Sequence, residues 1–164
     1  MSTNELDREP GTLETDSVQV RDLRADDLDW VVRIDSQHSG GQRREYYKVK
    51  LAEVAKDTGV RISLAASVKG EPAGFLMGRL YYGEFGHPEP VAILDSLGVA
   101  KAFAGQNVAR ALMRQLEMNL AGLGIERLET QVEWDQLELL GFFRKAGFQP
   151  SARLCLTKPV RRPS

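Results

Sequence analysis

The spacing of hydrophobic and polar positions changes several times in the first third of the chain. Val18 and Val20 alternate with polar residues, which is the period of a strand with one buried face. Apolar residues then recur at helical spacing over residues 25–35 and again over 43–56. This part of the sequence therefore predicts one strand followed by two helices.

The middle of the chain returns to a period of two. Apolar residues alternate over 61–68 and again over 73–82, and the Lys-Gly-Glu-Pro run at 69–72 has the composition of a tight turn. A loop rich in glycine, histidine and proline at 83–90 leads into a further apolar stretch at 91–99. We expect a hairpin followed by one more strand in this region.

The last third alternates helices with strands. Residues 108–121 carry apolar side chains on one helical face, and glycines follow them, as is typical of a helix end. Alternation predicts a strand over 128–133, helical spacing predicts a helix over 136–146, and 152–157 read as a last strand. The order β-α-α-β-β-β-α-β-α-β indicates an α+β fold on one mainly antiparallel sheet, with a β-α-β unit in its second half.

The composition is that of one soluble globular domain. The chain has 164 residues, of which 42% are hydrophobic and 27% charged, and these values suit a single core of ordinary size. Residues 1–16 hold five acidic residues against one basic residue and little apolar surface, so we expect a flexible acidic tail. The domain itself is predicted over 17–158, and 159–164 form a short basic tail.

The charge balance and the few cysteine and histidine residues argue against several classes. A net charge of −1 favours neither a nucleic-acid nor a membrane partner, and no apolar run reaches the length of a membrane-spanning helix. The polar N-terminus is unlike a signal peptide, so we expect a cytoplasmic protein. Cys155, the single cysteine, excludes an internal disulfide and is expected to be buried in the last strand. His38 and His87 have no cysteine or histidine neighbour, which argues against a metal site.

The segment with the clearest chemistry is LDSLGVAKAFAGQNVARALMRQL, residues 94–116. A strand ends near Val99, small residues at 104–107 form a turn, and a helix begins near Val108. Unpaired backbone N–H groups and the positive end of the dipole at a helix start suit a phosphate or pyrophosphate. Arg110 adds a cation one turn later. On its own, the pattern also fits an ordinary helix start.

Two segments resemble the signatures of the GNAT superfamily of acyl-CoA-dependent N-acyltransferases. VAKAFAGQNVARALM at 99–113 is similar to the family's acyl-CoA loop, and QLELLGFFRKAGF at 136–148 is similar to its second signature, which ends in an aromatic pair and Gly-Phe. The spacing between the two segments also matches, and the resemblance covers residues 17–158. It implies a twisted, mainly antiparallel sheet with helices on both faces, and acetyl-CoA as the acyl donor.

The resemblance also implies roles for individual residues. Backbone N–H groups near the end of the fourth strand would polarise the thioester carbonyl, and the following loop and helix start would hold the pyrophosphate. The positions expected to bind the donor are Leu97, Gly98, Val99, Ala104, Gly105, Gln106, Asn107, Val108, Ala109, Arg110, Gln136 and Phe143. Ala104 departs from the family pattern because it lacks the usual polar side chain. Asn107 replaces a glycine, although asparagine tolerates left-handed backbone. Phe143 replaces the tyrosine that protonates the departing thiolate, and phenylalanine cannot donate a proton.

A primary amine must lose a proton before it attacks a thioester, because a lysine-like amine has a pKa of about 10.4. Asp95 is the first candidate for the base, since it interrupts an apolar strand near the proposed thioester site. Its alternative role is that of a structural acid that hydrogen-bonds a neighbouring loop. Glu133 is the second candidate, with a solvated edge position as its alternative.

Two functional classes stay open from the sequence. The first is an acetyl-CoA-dependent N-acetyltransferase that acts on a small-molecule amine or a protein amine. The second is a GNAT-fold module that binds acyl-CoA or a protein partner without turnover, and Ala104 and Phe143 favour it. Tyr81 and Tyr82 are candidates for the lining of the amine pocket or for the core. An exposed sheet edge near the end of the chain would also suit a homodimer.

Overall fold

The computed structural model describes residues 18–56, 62–83 and 85–163, so the predicted acidic tail at 1–16 lies outside the described residues. The described residues form the following strands and helices, in chain order: β1 (Val18–Asp22), α1 (Leu28–Ser39), α2 (Arg44–Lys56), β2 (Leu64–Val68), β3 (Glu71–Tyr81), β4 (Val91–Val99), α3 (Val108–Gly122), β5 (Leu128–Thr130) and α4 (Leu137–Lys145). Short 3-10 turns at Ala25–Asp27 and Lys101–Phe103 precede α1 and follow β4. Apart from the last predicted strand, this is the order predicted from the sequence.

The five strands among the described residues form one sheet in the order β1-β2-β3-β4-β5. The first four are antiparallel to their neighbours, and β5 runs parallel to β4, so α3 is the crossover of a β-α-β unit. The predicted α+β fold on one mainly antiparallel sheet is confirmed. Register shifts insert a single extra residue in β3, at Ala73, and in β4, at Asp95.

Helices cover both faces of the sheet, as neighbouring residues of β3 illustrate. Phe75 points to one face, where its ring packs edge-on against Trp30 of α1 and Tyr47 of α2, with ring centroids 6.3 and 5.7 Å apart. Gly74 points to the opposite face, where Val108 of α3 lies against it. The expected arrangement of helices on both faces is therefore confirmed.

Two buried carboxylates fix the positions of the first elements. Asp27, just before α1, accepts hydrogen bonds from both terminal nitrogens of Arg21 in β1 at 2.7 and 2.8 Å. Asp35, inside α1, accepts hydrogen bonds from Arg43 Nε at 2.9 Å and from the Tyr47 hydroxyl at 2.8 Å. Burial alone would raise the pKa of both carboxyls, but these bonds lower each pKa below its ordinary value. The two groups therefore tie β1 to α1 and α1 to α2.

Helix α1 begins and ends later than its apolar pattern predicts. It runs over Leu28–Ser39, not over 25–35, and Gly40 ends it with a left-handed backbone (φ 71°). The additional last turn is polar and mostly exposed, so it gave no hydrophobic signal. This turn matters for the site because it brings Gln37 and His38 to the end of β4.

The chain divides into two compact units after Gln131. The first contains the sheet with α1, α2 and α3. The second, Val132–Ser164, contains α4, in which Phe143 packs against Phe142 and Phe148 with ring centroids 5.3 and 5.0 Å apart. No helix in the described part of the chain is long and apolar enough to cross a membrane. The single domain over 17–158 stays a prediction.

The predicted last strand at 152–157 is wrong. These residues have no regular structure and pair with no described strand, and Leu154 and Leu156 are each 88% exposed. Cys155 is also exposed, so its predicted burial is wrong as well. Alternation of apolar and polar residues specifies a strand only where a neighbouring strand completes its backbone hydrogen bonds, and local spacing alone does not determine whether one does.

Candidate active site at the end of strand β4

Helix α3 begins with a turn whose backbone suits an anion. Gly105 and Asn107 both have left-handed backbone, with φ of 77° and 59°, and Asn107 is one of the few residue types that tolerate it. The first helical hydrogen bond runs from Ala111 N to Asn107 O at 3.0 Å, so the N–H groups of residues 108–110 precede the helical pairing. These N–H groups and the positive end of the helix dipole are directed toward the space in front of α3.

The other predicted loop positions shape the turn. Ala104 N–H donates to Lys101 O and Gln106 N–H donates to Phe103 O, each at 3.2 Å. A Cβ added to Gly105 would meet no atom within 4 Å, so this part of the turn borders open space. The backbone at 104–107 is thus a closed turn with an accessible outer surface.

Gly74 lets α3 reach the sheet directly. A Cβ on Gly74 would lie 2.8 Å from Val108 Cγ1 and 2.9 Å from Gly98 O, closer than side chains and backbone tolerate. Only a residue without a side chain fits between the start of α3 and the two strands. Gly74 therefore places the first turn of α3 against the ends of β3 and β4.

Strand β4 loses its β5 neighbour halfway along. Residues 92–94 pair with Leu128–Thr130, and Thr130 Oγ1 donates to Leu94 O at 2.8 Å. Beyond Leu94, no described strand pairs with this side of β4, whereas its other side stays paired with β3 as far as Val99. Among the described residues, the second half of β4 therefore has no strand partner on one side.

Two of the three predicted carbonyl-polarising N–H groups face this open side. Ala100 N–H donates to Ala73 O at 2.8 Å. Together with the register of the two strands, this bond shows which residues of β4 direct their backbone groups toward β3. Alternate residues of an antiparallel strand point their N–H and C=O groups to opposite sides. The groups of Gly98 therefore point to β3, and those of Leu97 and Val99 point away from it.

Asp95 is the extra residue of the bulge in β4, because the residues on either side of it pair with consecutive residues of β3. Its Oδ2 lies 2.9 Å from Lys50 Nζ of α2 and 3.4 Å from Arg79 Nε of β3. Its Oδ1 is buried and has no hydrogen-bond partner among the described residues. Neither this cluster nor any other in the described chain joins three or more His, Cys, Asp or Glu side chains suited to a metal ion.

Aromatic rings flank the two cations that bind Asp95. Lys50 Nζ lies 5.7 Å from the ring centroid of Tyr46, and the Arg79 guanidinium lies 5.7 Å from that of Tyr81. Tyr81 is half-buried and Tyr46 is partly exposed, whereas Tyr47 is buried in the core. Two cation–aromatic pairs, one from α2 and one from β3, therefore lie beside Asp95.

Three predicted site residues belong to the second unit, Val132–Ser164, and are described within it. Glu133 and Gln136 are exposed, and Gln136 N–H donates to Glu133 O at 3.0 Å just before α4. Phe143 is buried in its aromatic cluster and has no hydroxyl, so it offers no proton to a leaving thiolate. The roles of these residues stay predictions.

Sequence reasoning missed the contacts between the end of α1 and the end of β4. His38 Nε2 lies 2.6 Å from Val99 O, and Lys101 N–H donates to Gln37 Oε1 at 2.9 Å. The paired residues are 61 and 64 positions apart, so neither a motif nor a period links them. Both contacts depend on the extra turn of α1, which lies beside the end of β4.

Comparison with known proteins shows which family this chain matches and which solved structures share its fold. The model of the acetyltransferase (GNAT) family matches residues 20–148. The fold is similar to that of the aminoglycoside N-acetyltransferase AAC(6')-Iy in complex with CoA, with a TM-score of 0.72, 16% identity, and coverage of 87% of this chain and 94% of that one.

Two further solved structures share the fold. The aminoglycoside acetyltransferase meta-AAC0020 from an uncultured soil metagenomic sample has a TM-score of 0.67 at 13% identity, covering 90% of this chain and 98% of that one. Ard1 from Thermoplasma volcanium has a TM-score of 0.67 at 20% identity, covering 83% and 85% of the two chains. Since the family match extends over most of the chain, from β1 to beyond α4, this protein belongs to the GNAT acetyltransferase family.

Proposed function

We propose that the protein transfers an acetyl group from acetyl-CoA to a primary amine. The observation that carries the proposal is the adjacency of two donor sets at the end of β4. One set is the N–H groups of residues 108–110 at the start of α3, and the other is the N–H groups of Leu97 and Val99 on the open side of the strand. The first suits a pyrophosphate, and the second suits an acyl carbonyl.

The start of α3 fits the pyrophosphate of acetyl-CoA. The turn at Gly105 borders open space, the first turn of α3 holds no acidic residue, and Arg110 is an exposed cation one turn into the helix. Asn107 adopts the backbone conformation that a glycine would otherwise supply. Bound there, acetyl-CoA supplies the activated thioester, and the chain supplies the groups that hold and polarise it.

The N–H groups of Leu97 and Val99 are proposed to stabilise the negative charge that develops on the thioester oxygen. They belong to a strand held along its other side by β3, so they need no rearrangement during the reaction. Removal of one such donor in an enzyme costs about 10²–10³ in kcat. These two groups are therefore the main source of rate enhancement in the proposal.

Asp95 and Glu133 are the two candidates for the base that the sequence offers, as alternatives to one another and to any other titratable side chain at the site. Oδ2 of Asp95 is shared by Lys50 and Arg79, so the unpartnered Oδ1 is the atom that would accept a hydrogen bond or a proton from an amine. Glu133 is the second candidate. Both assignments predict that the corresponding amide variant loses activity while acetyl-CoA binding is retained.

The acceptor is proposed to be a small-molecule amine or a protein amine, and the site is proposed to act in the cytoplasm. A homodimer is proposed on the outer side of β5, because no described strand pairs with that side. The alternative function is a module that binds acyl-CoA or a protein partner without turnover. The buried, hydroxyl-free Phe143 favours this alternative, since it provides no acid for the leaving thiolate.

An acetyl-transfer assay separates the two functions. Purified protein is incubated with acetyl-CoA and a panel of small amines, polyamines and peptides with free amino groups, while free thiol is measured and products are checked for a single added acetyl group. Acetyl-CoA binding is measured in parallel by calorimetry. Binding with amine-dependent thiol release supports the transferase, binding without release on any acceptor supports the module, and absence of binding contradicts both.

A further inference from the structure

We propose that the imidazole of His38 is the general base of the acetyl transfer, an inference that rests on the proposed function. His38 lies in the last turn of α1, and its Nε2 is 2.6 Å from Val99 O. Val99 is also one of the residues whose N–H faces the open side of β4. A titratable side chain therefore lies beside one of the groups proposed to hold the acyl carbonyl.

The contact with Val99 determines the tautomer of the imidazole. A carbonyl oxygen only accepts hydrogen bonds, so Nε2 carries a proton and donates it to Val99 O. In the neutral ring, Nδ1 then carries a lone pair, and no described residue hydrogen-bonds it. Because His38 is exposed, Nδ1 can take a proton from an amine and release it to solvent. Nε2 continues to donate to Val99 O in the protonated ring, so the bond persists through the proton transfer.

The position of His38 suits a base better than that of Asp95. The N–H and C=O of one residue in an antiparallel strand point to the same side, so His38 lies on the side of β4 to which Val99 N–H points. Asp95 lies four positions earlier, roughly 13 Å along an extended strand, and its Oδ2 is shared by Lys50 and Arg79. A general base must contact the proton that it removes directly or through one water. The assignment to His38 therefore takes Val99 N–H as the donor nearer to the reacting amine, since Leu97 N–H lies only two positions from Asp95.

The described elements around His38 hold its imidazole in place but provide no carboxylate that pairs with it. Gln37 accepts a hydrogen bond from Lys101 N–H, so two consecutive residues of α1 contact the backbone at the end of β4. Lys101 lies in the turn after β4, and Asp35, one turn earlier in α1, is paired with the guanidinium of Arg43. Asp35 is occupied by hydrogen bonds from Arg43 and from a tyrosine hydroxyl, so it is not the partner of the imidazole.

The proton balance is complete without a further reactant. The protonated amine gives one proton to His38 Nδ1, and its freed lone pair forms the C–N bond to the thioester carbonyl carbon. The C–S bond breaks, and the departing thiolate takes the second proton of the attacking nitrogen, directly or through water. His38 then releases its proton to solvent. This route requires no side-chain acid at Phe143, in agreement with the absence of a hydroxyl there.

Substitution by glutamine separates proton transfer from positioning. His38→Gln keeps an N–H donor near the position of Nε2, which preserves the bond to Val99 O, but an amide cannot take a proton. We expect unchanged acetyl-CoA binding, a loss of about 100-fold or more in kcat, and no decline of the residual kcat/KM toward acid pH. His87→Gln, which removes the other histidine, is the matched control and should leave both rate and pH profile unchanged.

Three results would overturn the assignment while leaving the proposed function intact. The first is a His38→Gln enzyme with the wild-type rate. The second is a slower His38→Gln enzyme that keeps the acid decline, which would reduce His38 to a positioning residue. The third is loss of the acid decline in Asp95→Asn instead. If the wild type transfers acetyl to no amine, the proposed function fails together with the assignment.

Chemical modification gives a second test that does not depend on a His38 variant. In the His87→Gln protein, His38 is the remaining histidine, so carbethoxylation with diethyl pyrocarbonate reports on it alone among imidazoles. Loss of acetyl transfer that parallels its modification and is reversed by hydroxylamine is the expected result. Full transfer after complete modification would overturn the assignment.

Discussion

Gly74→Ala tests whether α3 rests directly on the sheet. The new Cβ would lie 2.8 Å from Val108 Cγ1 and 2.9 Å from Gly98 O. The nearer carbon contact must lengthen by about 0.7 Å to reach the ~3.5 Å of an ordinary contact. Overpacking of this kind costs about 1–3 kcal/mol, and the lower entropy of the unfolded alanine chain offsets up to about 1 kcal/mol. A net loss of about 1–2 kcal/mol corresponds to a fall of about 2–8 °C in Tm for a chain of this size.

Thermal unfolding and calorimetric binding of acetyl-CoA together form the assay. The variant should melt below the wild type and bind acetyl-CoA more weakly, because α3 must move away from β4. Gly122→Ala is the matched control, since a Cβ at this last residue of the same helix meets no atom within 4 Å. It should be neutral or more stable by up to about 1 kcal/mol.

A double-mutant cycle identifies the atom responsible. Val108→Ala removes Cγ1 and by itself leaves a small cavity, since Val108 is buried. Combined with Gly74→Ala, it should cost less than the sum of the single changes, although the contact with Gly98 O remains. A Gly74→Ala protein that melts no lower than Gly122→Ala, or strict additivity in the cycle, would refute the described packing.

Two further changes probe the charge network and the turn. Because the folded pKa of Asp35 lies below its unfolded value of about 3.9, its contribution to stability is fully present above that value and is lost as pH falls through the folded pKa. Asp35→Asn should therefore be less stable than the wild type by about 1–3 kcal/mol in urea unfolding at pH 7, with a smaller gap at pH 3; an equal gap at both would contradict this. At Asn107 (φ 59°), Gly should preserve or tighten acetyl-CoA binding, whereas Val should relax the free turn out of its left-handed conformation, so that restoring it on binding costs about 1–2 kcal/mol and weakens binding by about 5–30-fold. Equal affinity of the Gly and Val proteins in calorimetry would rule out a left-handed residue at this position.

Elements whose spacing is set by burial were predictable from the sequence. Strand β4 has its predicted bounds at Val91–Val99, and α3 ends one residue beyond its prediction, because each buries a periodic face against the core. The turn before α3 was also predictable, since its small residues and Asn107 act through local backbone geometry. The strand at 152–157 was not, because a strand depends on a neighbour that local alternation does not reveal.

The features of the candidate site also fall into those that the sequence shows and those that depend on contacts between distant residues. Asp95 was noticeable as a charge inside an apolar strand, but its partner Lys50 lies 45 positions away on α2. The contact of His38 with Val99 spans 61 positions and depends on a polar helical turn that has no hydrophobic signal. Chemistry carried by consecutive residues is therefore readable in this chain, whereas chemistry that arises where distant elements meet requires the fold.

At the bulge, the presence of a residue at position 95 and the identity of its side chain have separate structural effects. If the residue were deleted, its neighbours in β4 would face consecutive residues of β3 in an uninterrupted ladder, and both halves of the strand would keep their buried faces. The strand would lose the extra bend that a bulge provides. Exchange of the side chain alters the contacts of the carboxylate with Lys50 and Arg79 but keeps the bulge, whereas loss of the residue shortens the strand and removes the bulge. Among sequences related to this one, residue 95 should accordingly be deleted less often than it is substituted.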